Sequence, residues 1–316
     1  MRVMITGANG FLGYSLSALL LQKGMTVVAT GTGPCRLPFE GAQLFSYLPM
    51  DLTVPGELHQ QINKAAADII VHAAAMSKPD ECELNREKAF AVNVKGTADL
   101  LEAAALQKAY FLFLPTDFMF DGVSGMYREE DEPGPVNYYG QTKLQAESLT
   151  RQYPFDYSIA RTVLVYGNNR SGRKNILGMV KEKLEKGEVF KVVDDQLRTP
   201  TFIEDLSFGI WKMIEQKANG IFHIAGEEQM TPYEMAVRTA KFLGHDVNLL
   251  QRVNASTFTE PAQRPLKTGF IITKAKKELG YQPVPFEKRF RSNIRSEIET
   301  DGTFNKQRCS GCIMNF

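Results

Sequence analysis

Tyr139 and Lys143 bracket the run Tyr139-Gly140-Gln141-Thr142-Lys143, a spacing that puts a phenol and an ammonium on one face of a helix. A free tyrosine titrates near pH ~10, and a neighbouring positive charge lowers that value so that the phenol can exchange a proton near neutrality. Thr116 follows an apolar run that reads as a fifth strand, at the carboxyl edge where open α/β sheets bind ligands. A hydroxyl there can hydrogen-bond the oxygen that Tyr139 protonates. These three residues predict acid–base chemistry on a carbonyl or alcohol.

A second signal lies at the start of the chain. The apolar run Val3 to Thr6 passes into Gly7-Ala8-Asn9-Gly10-Phe11-Leu12-Gly13, after which Leu12, Leu16, Leu19 and Leu20 recur at helical spacing. A glycine turn that opens a helix suits a pyrophosphate: side-chain-free positions let the backbone approach, and the helix N-terminus offers unpaired N–H groups. Gly7, Asn9, Gly10, Phe11, Leu12 and Gly13 are the candidate contacts. An acid about 20 residues beyond such a turn usually binds the ribose 2′-hydroxyl of NAD. Here the second strand ends instead in Thr30-Gly31-Thr32-Gly33-Pro34-Cys35-Arg36. With no carboxylate to repel a 2′-phosphate and Arg36 close by, Thr30 and Arg36 predict NADP(H) as the preferred cofactor and NAD(H) as the weaker alternative. Asp51-Leu52 follows a third strand, where a carboxylate can accept the adenine amino group. Ala73, Ala74 and Ala75 follow the fourth and leave room for a flat cofactor, while His72 reads as a hydrogen-bonded core residue.

The elements that must position these groups follow from the hydrophobic rhythm. Short runs rich in Val, Ile and Phe alternate with longer amphipathic stretches, the pattern of βα units feeding a parallel sheet. Strands are predicted at Val3 to Thr6, Thr26 to Thr30, Ala67 to His72, Tyr110 to Leu114 and Tyr157 to Arg161. A late strand at Phe222 to Ala225 returns to the same sheet, and Leu44 to Tyr47 carries the faintest strand pattern. The predicted fold class is α/β, a doubly wound parallel sheet of the Rossmann type with a smaller α/β substrate-binding domain. Residues 1–165, with the returning strand near 221–225, form the dinucleotide-binding domain; residues 166–220 and 226–300 form the smaller one. Thr273 is expected to cap a short helix that Gly280 ends. Residues 301–316 have no periodicity and are expected to be poorly ordered.

Composition narrows the class further. The 316 residues are 43% hydrophobic, with 37 Lys and Arg against 36 Asp and Glu, so no polyanionic partner such as nucleic acid is indicated. Arg289, Arg291 and Arg295 read as the solvated face of a terminal helix. Four cysteines are no disulfide framework in a chain this long and point to a reducing compartment. Cys309 and Cys312 lack the further ligands a structural zinc needs, and no metal is predicted. The glycine turn begins too early to leave room for a signal peptide, and no apolar run approaches a membrane span. A cytoplasmic protein without membrane partners is expected.

Taken together the motifs are similar to those of the extended short-chain dehydrogenase/reductase family over about residues 1 to 300. The glycine turn, Asp51-Leu52, Asn93 within Val92-Asn93-Val94-Lys95-Gly96-Thr97, Thr116, Tyr139 and Lys143 fall in the family's order. The resemblance implies that Thr116 orients the substrate oxygen, Tyr139 acts as acid or base, Lys143 binds the nicotinamide ribose and Asn93 holds a proton-relay water. Within that family the chain resembles the dTDP-4-dehydrorhamnose reductase group. The likeness rests on Thr116-Asp117-Phe118-Met119-Phe120-Asp121-Gly122, Arg161-Thr162-Val163-Leu164-Val165-Tyr166-Gly167, Asp195-Gln196-Leu197-Arg198-Thr199-Pro200-Thr201 and Arg264-Pro265. Pro115, Val163 and Leu164 depart from that group's usual residues.

By this likeness Thr162 joins the cofactor contacts, and Ser77, Thr116, Asp117, Phe118, Asn175, Gln196, Arg198 and Arg264 line the substrate site. Arg198 is expected to meet the diphosphate or base of a nucleotide sugar, with an ion pair to Asp194 or Asp195 as the alternative. The implied activity is reduction of a nucleotide-activated 4-keto-6-deoxy sugar, and a homodimer is left open. Two other readings share the scaffold. One is a nucleotide-sugar epimerase or dehydratase, though Asp117-Phe118 does not supply a dehydratase's adjacent Asp-Glu pair. The other is a non-catalytic regulatory subunit similar to the methionine adenosyltransferase beta subunit.

Overall fold

β-Branched and aromatic runs closed by polar or glycine turns give the strands, and amphipathic stretches between them give the helices. The computed structural model describes residues 1–168 and 175–288. Its first half runs β1 (Arg2–Thr6), α1 (Phe11–Gln22), β2 (Thr26–Gly31), β3 (Phe45–Pro49), α2 (Pro55–Ala65), β4 (Ile69–His72), α3 (Pro79–Leu84) and α4 (Arg86–Phe90). A π-helical turn over Ala91–Lys95 leads into α5 (Gly96–Leu106), followed by β5 (Tyr110–Phe113), a 3₁₀ turn at Asp117–Met119, α6 (Tyr138–Thr150) and β6 (Tyr157–Arg161). The second half contains β7 (Val165–Tyr166), α7 (Ile176–Glu185), β8 (Phe190–Val193), β9 (Thr201–Phe202), α8 (Ile203–Gln216), β10 (Gly220–His223), α9 (Pro232–Leu243), β11 (Leu250–Val253) and α10 (Thr273–Leu279).

Seven strands form one sheet in the order β10-β6-β5-β4-β1-β2-β3, and each neighbouring pair is parallel. Parallel neighbours need crossovers, so helices cover both faces and the strands must be apolar on both sides. β1 shows how: Val3 and Ile5 pack on the face of α1, α8 and α10, while Met4 packs on the face of α2, α5 and α6. The chain reverses direction of winding at β1, between β4 on one side and β2 on the other. In open α/β sheets that crevice at the carboxyl ends receives the ligand.

A smaller unit hangs beyond these carboxyl ends. β8 pairs with β11 and β7 with β9, and α7 and α9 close an apolar cluster of Val180, Leu184, Val192, Ala236, Ala240 and Leu250. Thr231 and Glu234 form a full capping box at the start of α9, which satisfies two otherwise orphaned N–H groups. Every strand expected from the sequence is present, including β3, whose pattern was the faintest. The cap expected at Thr273 is not: Thr273 is the first helical residue of α10 and Ile272 precedes it without a side-chain cap. Gly280 does end that helix in a left-handed conformation, φ 63°. Arg289, Arg291, Arg295, Cys309, Cys312 and the tail 301–316 lie outside the described residues. Among the described residues no helix is long and apolar enough to cross a membrane.

Candidate active site

The first turn of α6 is held against the loop that follows β5. Asn137 caps the helix, its Oδ1 accepting from the Gly140 N–H at 2.9 Å, while its Nδ2 donates to the Gln263 carbonyl at 2.7 Å. Gly140 makes the contact close: a Cβ there would stand 2.0 Å from the Phe118 carbonyl oxygen. Tyr139, 8% exposed, meets Phe118 edge-to-face at 5.8 Å. Thr116 caps the 3₁₀ turn, accepting from the Phe118 N–H at 3.4 Å and donating to Asp117 Oδ1 at 3.0 Å. Its backbone bridges Thr162 at the end of β6. The phenol and the hydroxyl expected from the sequence therefore stand on abutting turns.

One turn further along α6, Lys143 is 3% exposed. Its Nζ lies 4.4 Å from the Phe113 ring centroid on β5 and finds no hydrogen-bond acceptor among the described residues. Burial pushes this ammonium down to about 7, against the opposing influence of Cys82 and Glu147. Another turn on, Glu147 is fully buried and accepts from Arg161 through both oxygens, Nε to Oε2 at 3.0 Å and Nη2 to Oε1 at 2.6 Å. Arg161, also fully buried, donates to the Glu129 carbonyl at 3.2 Å and lies over the Phe120 ring. This pair ties the catalytic helix to the last residue of β6. The sequence reading missed it, although Glu147 extends the spacing of Tyr139 and Lys143 by the same step.

Behind the site His72 has both nitrogens occupied. Thr97 Oγ donates to the Asn93 carbonyl at 2.7 Å, so at 2.9 Å it must accept from His72 Nε2. On the other side Thr6 Oγ accepts from the Ala74 N–H at 3.1 Å and donates to Nδ1 at 2.8 Å. One neutral tautomer satisfies every group. Burial first, and Lys143 second, lower its pKa to about 3, so His72 stays neutral and structural. Asn93 sits in the π turn. Its amide exchanges two hydrogen bonds with the Met76 backbone, at 2.8 and 3.0 Å, and gives a third to Thr142 at 3.0 Å. The side chain that the resemblance assigned to a relay water joins the end of β4 to α6.

The nucleotide half lies across β1 and β2. Gly7 takes φ +69° and a Cβ on it would come within 2.8 Å of Ala74 Cα, which brings the first turn onto the Ala73–Ala75 segment. At Gly13 a Cβ would be 2.4 Å from Ala8 Cα; its absence lets α1 approach the turn. Gly10 caps α1 without a side chain, followed by the partly buried Phe11 and Leu12. Leu52 is buried against Gly96, and Asp51 accepts from the Thr53 N–H and hydroxyl at 2.8 and 2.7 Å. The buried Thr30 hydroxyl donates to the Ile5 carbonyl at 3.2 Å, whereas Arg36 is exposed. A left-handed glycine turn before a helix, and a buried ammonium with no acceptor among the described residues, are groups that could hold a dinucleotide.

Among the substrate candidates, Ser77 and Gln196 are partly exposed, and Asp117 and Phe118 adjoin Thr116. Three others are engaged elsewhere. Arg198, 4% exposed, donates to the Leu197, Leu266 and Pro265 carbonyls. Its Nε faces Asp117 at 3.5 Å, with the charge of Asp195 also acting on it. Burial raises the Asp117 pKa, and Arg198, Thr268 and Thr116 oppose the rise. Arg264 forks onto Asp80, Nη1 to Oδ1 at 2.9 Å and Nη2 to Oδ2 at 2.7 Å, which joins the smaller unit to the start of α3. Asn175 caps α7 by accepting from the Leu177 N–H at 3.0 Å. The acidic partners of both arginines lie far off in sequence. A separate cavity of about 600 Å³ opens between α1 and α8 and touches the glycine turn only at Phe11.

A switch-point crevice with a glycine turn on one side and a buried Tyr-Lys helix face on the other defines the class: Rossmann-type dehydrogenases and reductases that act with a nicotinamide dinucleotide. The chain belongs to the RmlD substrate binding domain family, whose model matches residues 1–298. It is 29% identical over 313 residues to a dTDP-4-dehydrorhamnose reductase of Aggregatibacter actinomycetemcomitans, covering 94% of this chain and 99% of that protein. It is 30% identical over 270 residues to methionine adenosyltransferase 2 subunit beta of Pongo abelii, covering 84% and 78%. The structure of dTDP-4-dehydrorhamnose reductase from Bacillus anthracis in complex with NADP superposes with a TM-score of 0.79 at 26% identity, covering 93% of this chain and 99% of that one.

Proposed function

We propose that this chain is an NADPH-dependent reductase of the 4-keto group of a nucleotide-activated 6-deoxy sugar. The observation that carries the reading is the buried face of α6: Tyr139 against the Thr116 turn, with the ammonium of Lys143, which has no acceptor among the described residues, one helical turn behind it. NADPH, when bound, supplies the hydride. Thr116 holds the substrate oxygen, and Tyr139 donates a proton to it as the carbonyl becomes an alcohol. Lys143 binds the nicotinamide ribose and keeps a positive charge near the phenol, which favours proton release. Thr116 has one hydroxyl proton, which Asp117 Oδ1 accepts at 3.0 Å, so holding a carbonyl oxygen requires that proton to turn from Asp117 toward the substrate. Gln196 and Ser77 reach the sugar nucleotide, and Arg198 and Arg264 shape the site through Asp117 and Asp80.

The reductases among the relatives, matched over nearly their whole length, support a sugar-nucleotide substrate. Similarity to a methionine adenosyltransferase subunit of equal strength favours a second reading, a regulatory subunit that holds the dinucleotide without turnover. One assay separates the two. Purified protein is incubated with NADPH and a panel of dTDP-, UDP- and GDP-linked 4-keto sugars while nicotinamide absorbance is followed. Consumption of NADPH with one of them is expected. Tight NADPH binding without consumption across the panel would replace the reductase reading with the regulatory one.

A further inference from the structure

The loop between β2 and Arg36 is held by two side chains, Asn9 of the glycine turn and Tyr47, which lies in no cofactor motif. Tyr47 lies on β3 beside Ala29 of β2, and its hydroxyl points forward into the loop. It shares its proton between the Gly31 carbonyl at 3.0 Å and the Gly33 carbonyl at 3.1 Å, and it accepts from Asn9 Nδ2 at 2.9 Å. Asn9 reaches on from the glycine turn: Nδ2 also donates to the Pro34 carbonyl at 3.0 Å, and Oδ1 accepts from the Arg36 N–H at 2.9 Å. Gly31 makes room for this, since a Cβ there would stand 3.3 Å from the Tyr47 hydroxyl and 3.6 Å from Asn9 Nδ2. Four loop positions are thus tied, through one phenol and one amide, to the turn that approaches the pyrophosphate.

The consequence falls on Arg36. Its backbone N–H is fixed by Asn9, while its guanidinium is exposed and, among the described residues, makes no ion pair. A planar fork recognises phosphate well only when its origin is held in register with the anion, and ordering a loop before binding lowers the cost of binding. We propose that Tyr47 is a positioning residue for cofactor selectivity: it fixes, through Asn9 and the Gly31–Arg36 loop, the point from which Arg36 meets a 2′-phosphate. This rests on the NADPH reading. Burial raises the phenol's pKa, in keeping with a hydroxyl that remains a donor at neutral pH.

The test is a double-mutant cycle of Tyr47→Phe and Arg36→Ala, with dissociation constants for NADPH and NADH measured by nicotinamide fluorescence and Tm recorded for each variant. Tyr47→Phe should weaken NADPH by roughly 3- to 10-fold, the effect of one ordered hydrogen bond, while NADH binding is unchanged. Arg36→Ala should remove the preference, and adding Tyr47→Phe to it should change nothing more, because the phenol acts through the arginine. Equal weakening of both cofactors by Tyr47→Phe, or an undiminished effect in the double variant, would show a general structural role and overturn the proposal. A wild-type protein that binds NADH at least as tightly as NADPH would instead remove the cofactor reading itself, and that result is visible before any variant is made.

Discussion

Lys143 concentrates the cost of the site in one residue. A lysine buried without an acceptor is driven toward its neutral form, and its folded pKa near 7 lies well below the ordinary ~10.4. Between those values the unfolded chain binds a proton that the folded chain does not, so stability rises with pH across that window. Below about 7 the fold must bury the charge outright. Lys143→Met should therefore raise Tm by a few degrees, more at pH 6 than at pH 9, while it removes activity; a lower Tm at both pH values would show that the ammonium stabilises the fold. Tyr139→Phe keeps the ring against Phe118 and removes only the proton. It should lower kcat by roughly 10²- to 10⁴-fold with NADPH affinity near wild type, and turnover at the wild-type rate would eliminate Tyr139 as the acid.

At the level of elements the decisive contacts are those that set α6 against its neighbours. The approach at Gly140 is so close that an added Cβ, 2.0 Å from the Phe118 carbonyl, would force the helix or the Thr116 loop to move by about 1 Å. Displacements of that size can cost ~10²-fold in rate, so Gly140→Ala is expected to reduce kcat by about that factor in steady-state assays; an unchanged rate would mean that the two turns need not abut. The Glu147–Arg161 pair fixes the other end. Glu147→Gln leaves Arg161 buried and unpaired and should cost about 3–5 kcal/mol in denaturant unfolding, whereas Glu147→Leu with Arg161→Met should recover most of that loss. A single variant as stable as wild type would contradict this.

These contacts also mark where the sequence stops being readable. Tyr139, Lys143 and the glycine turn are local patterns, and their spacing carries their meaning. The strands were legible because burial on both faces requires unbroken apolar runs. Glu147 was missed, since its partner Arg161 comes from the end of β6. The acidic neighbours of Arg198 and Arg264 were illegible for the same reason: Asp117 and Asp80 come beside them only after folding. Gly140 looked like an ordinary helix position until the loop it meets was in place.

Across the whole molecule, polar ties join the segment around residues 262–264 to the first half of the chain, among them Arg264 to Asp80, the Ala262 N–H to Asp80 at 3.1 Å, and Asn137 to the Gln263 carbonyl. Arg264 and hydrogen bonding hold the Asp80 carboxyl below the usual carboxylate range, so this tie survives mild acid. The two halves of the chain are also interleaved, because β10 returns from the second half to pair with β6 along Ser158 to Arg161. That return imposes a schedule on synthesis. At about 5–20 residues per second the ribosome needs on the order of 3–12 s to advance from Arg161 to His223. During that interval β6 waits as a bare apolar edge, the form of strand most inclined to pair with another chain. A fragment ending at residue 165 freezes the nascent chain at this stage and should aggregate when expressed alone, whereas a chain ending at residue 288 should not. A soluble, monomeric 1–165 fragment in gel filtration would show that the emerging protein needs no protection while it waits for its last strand.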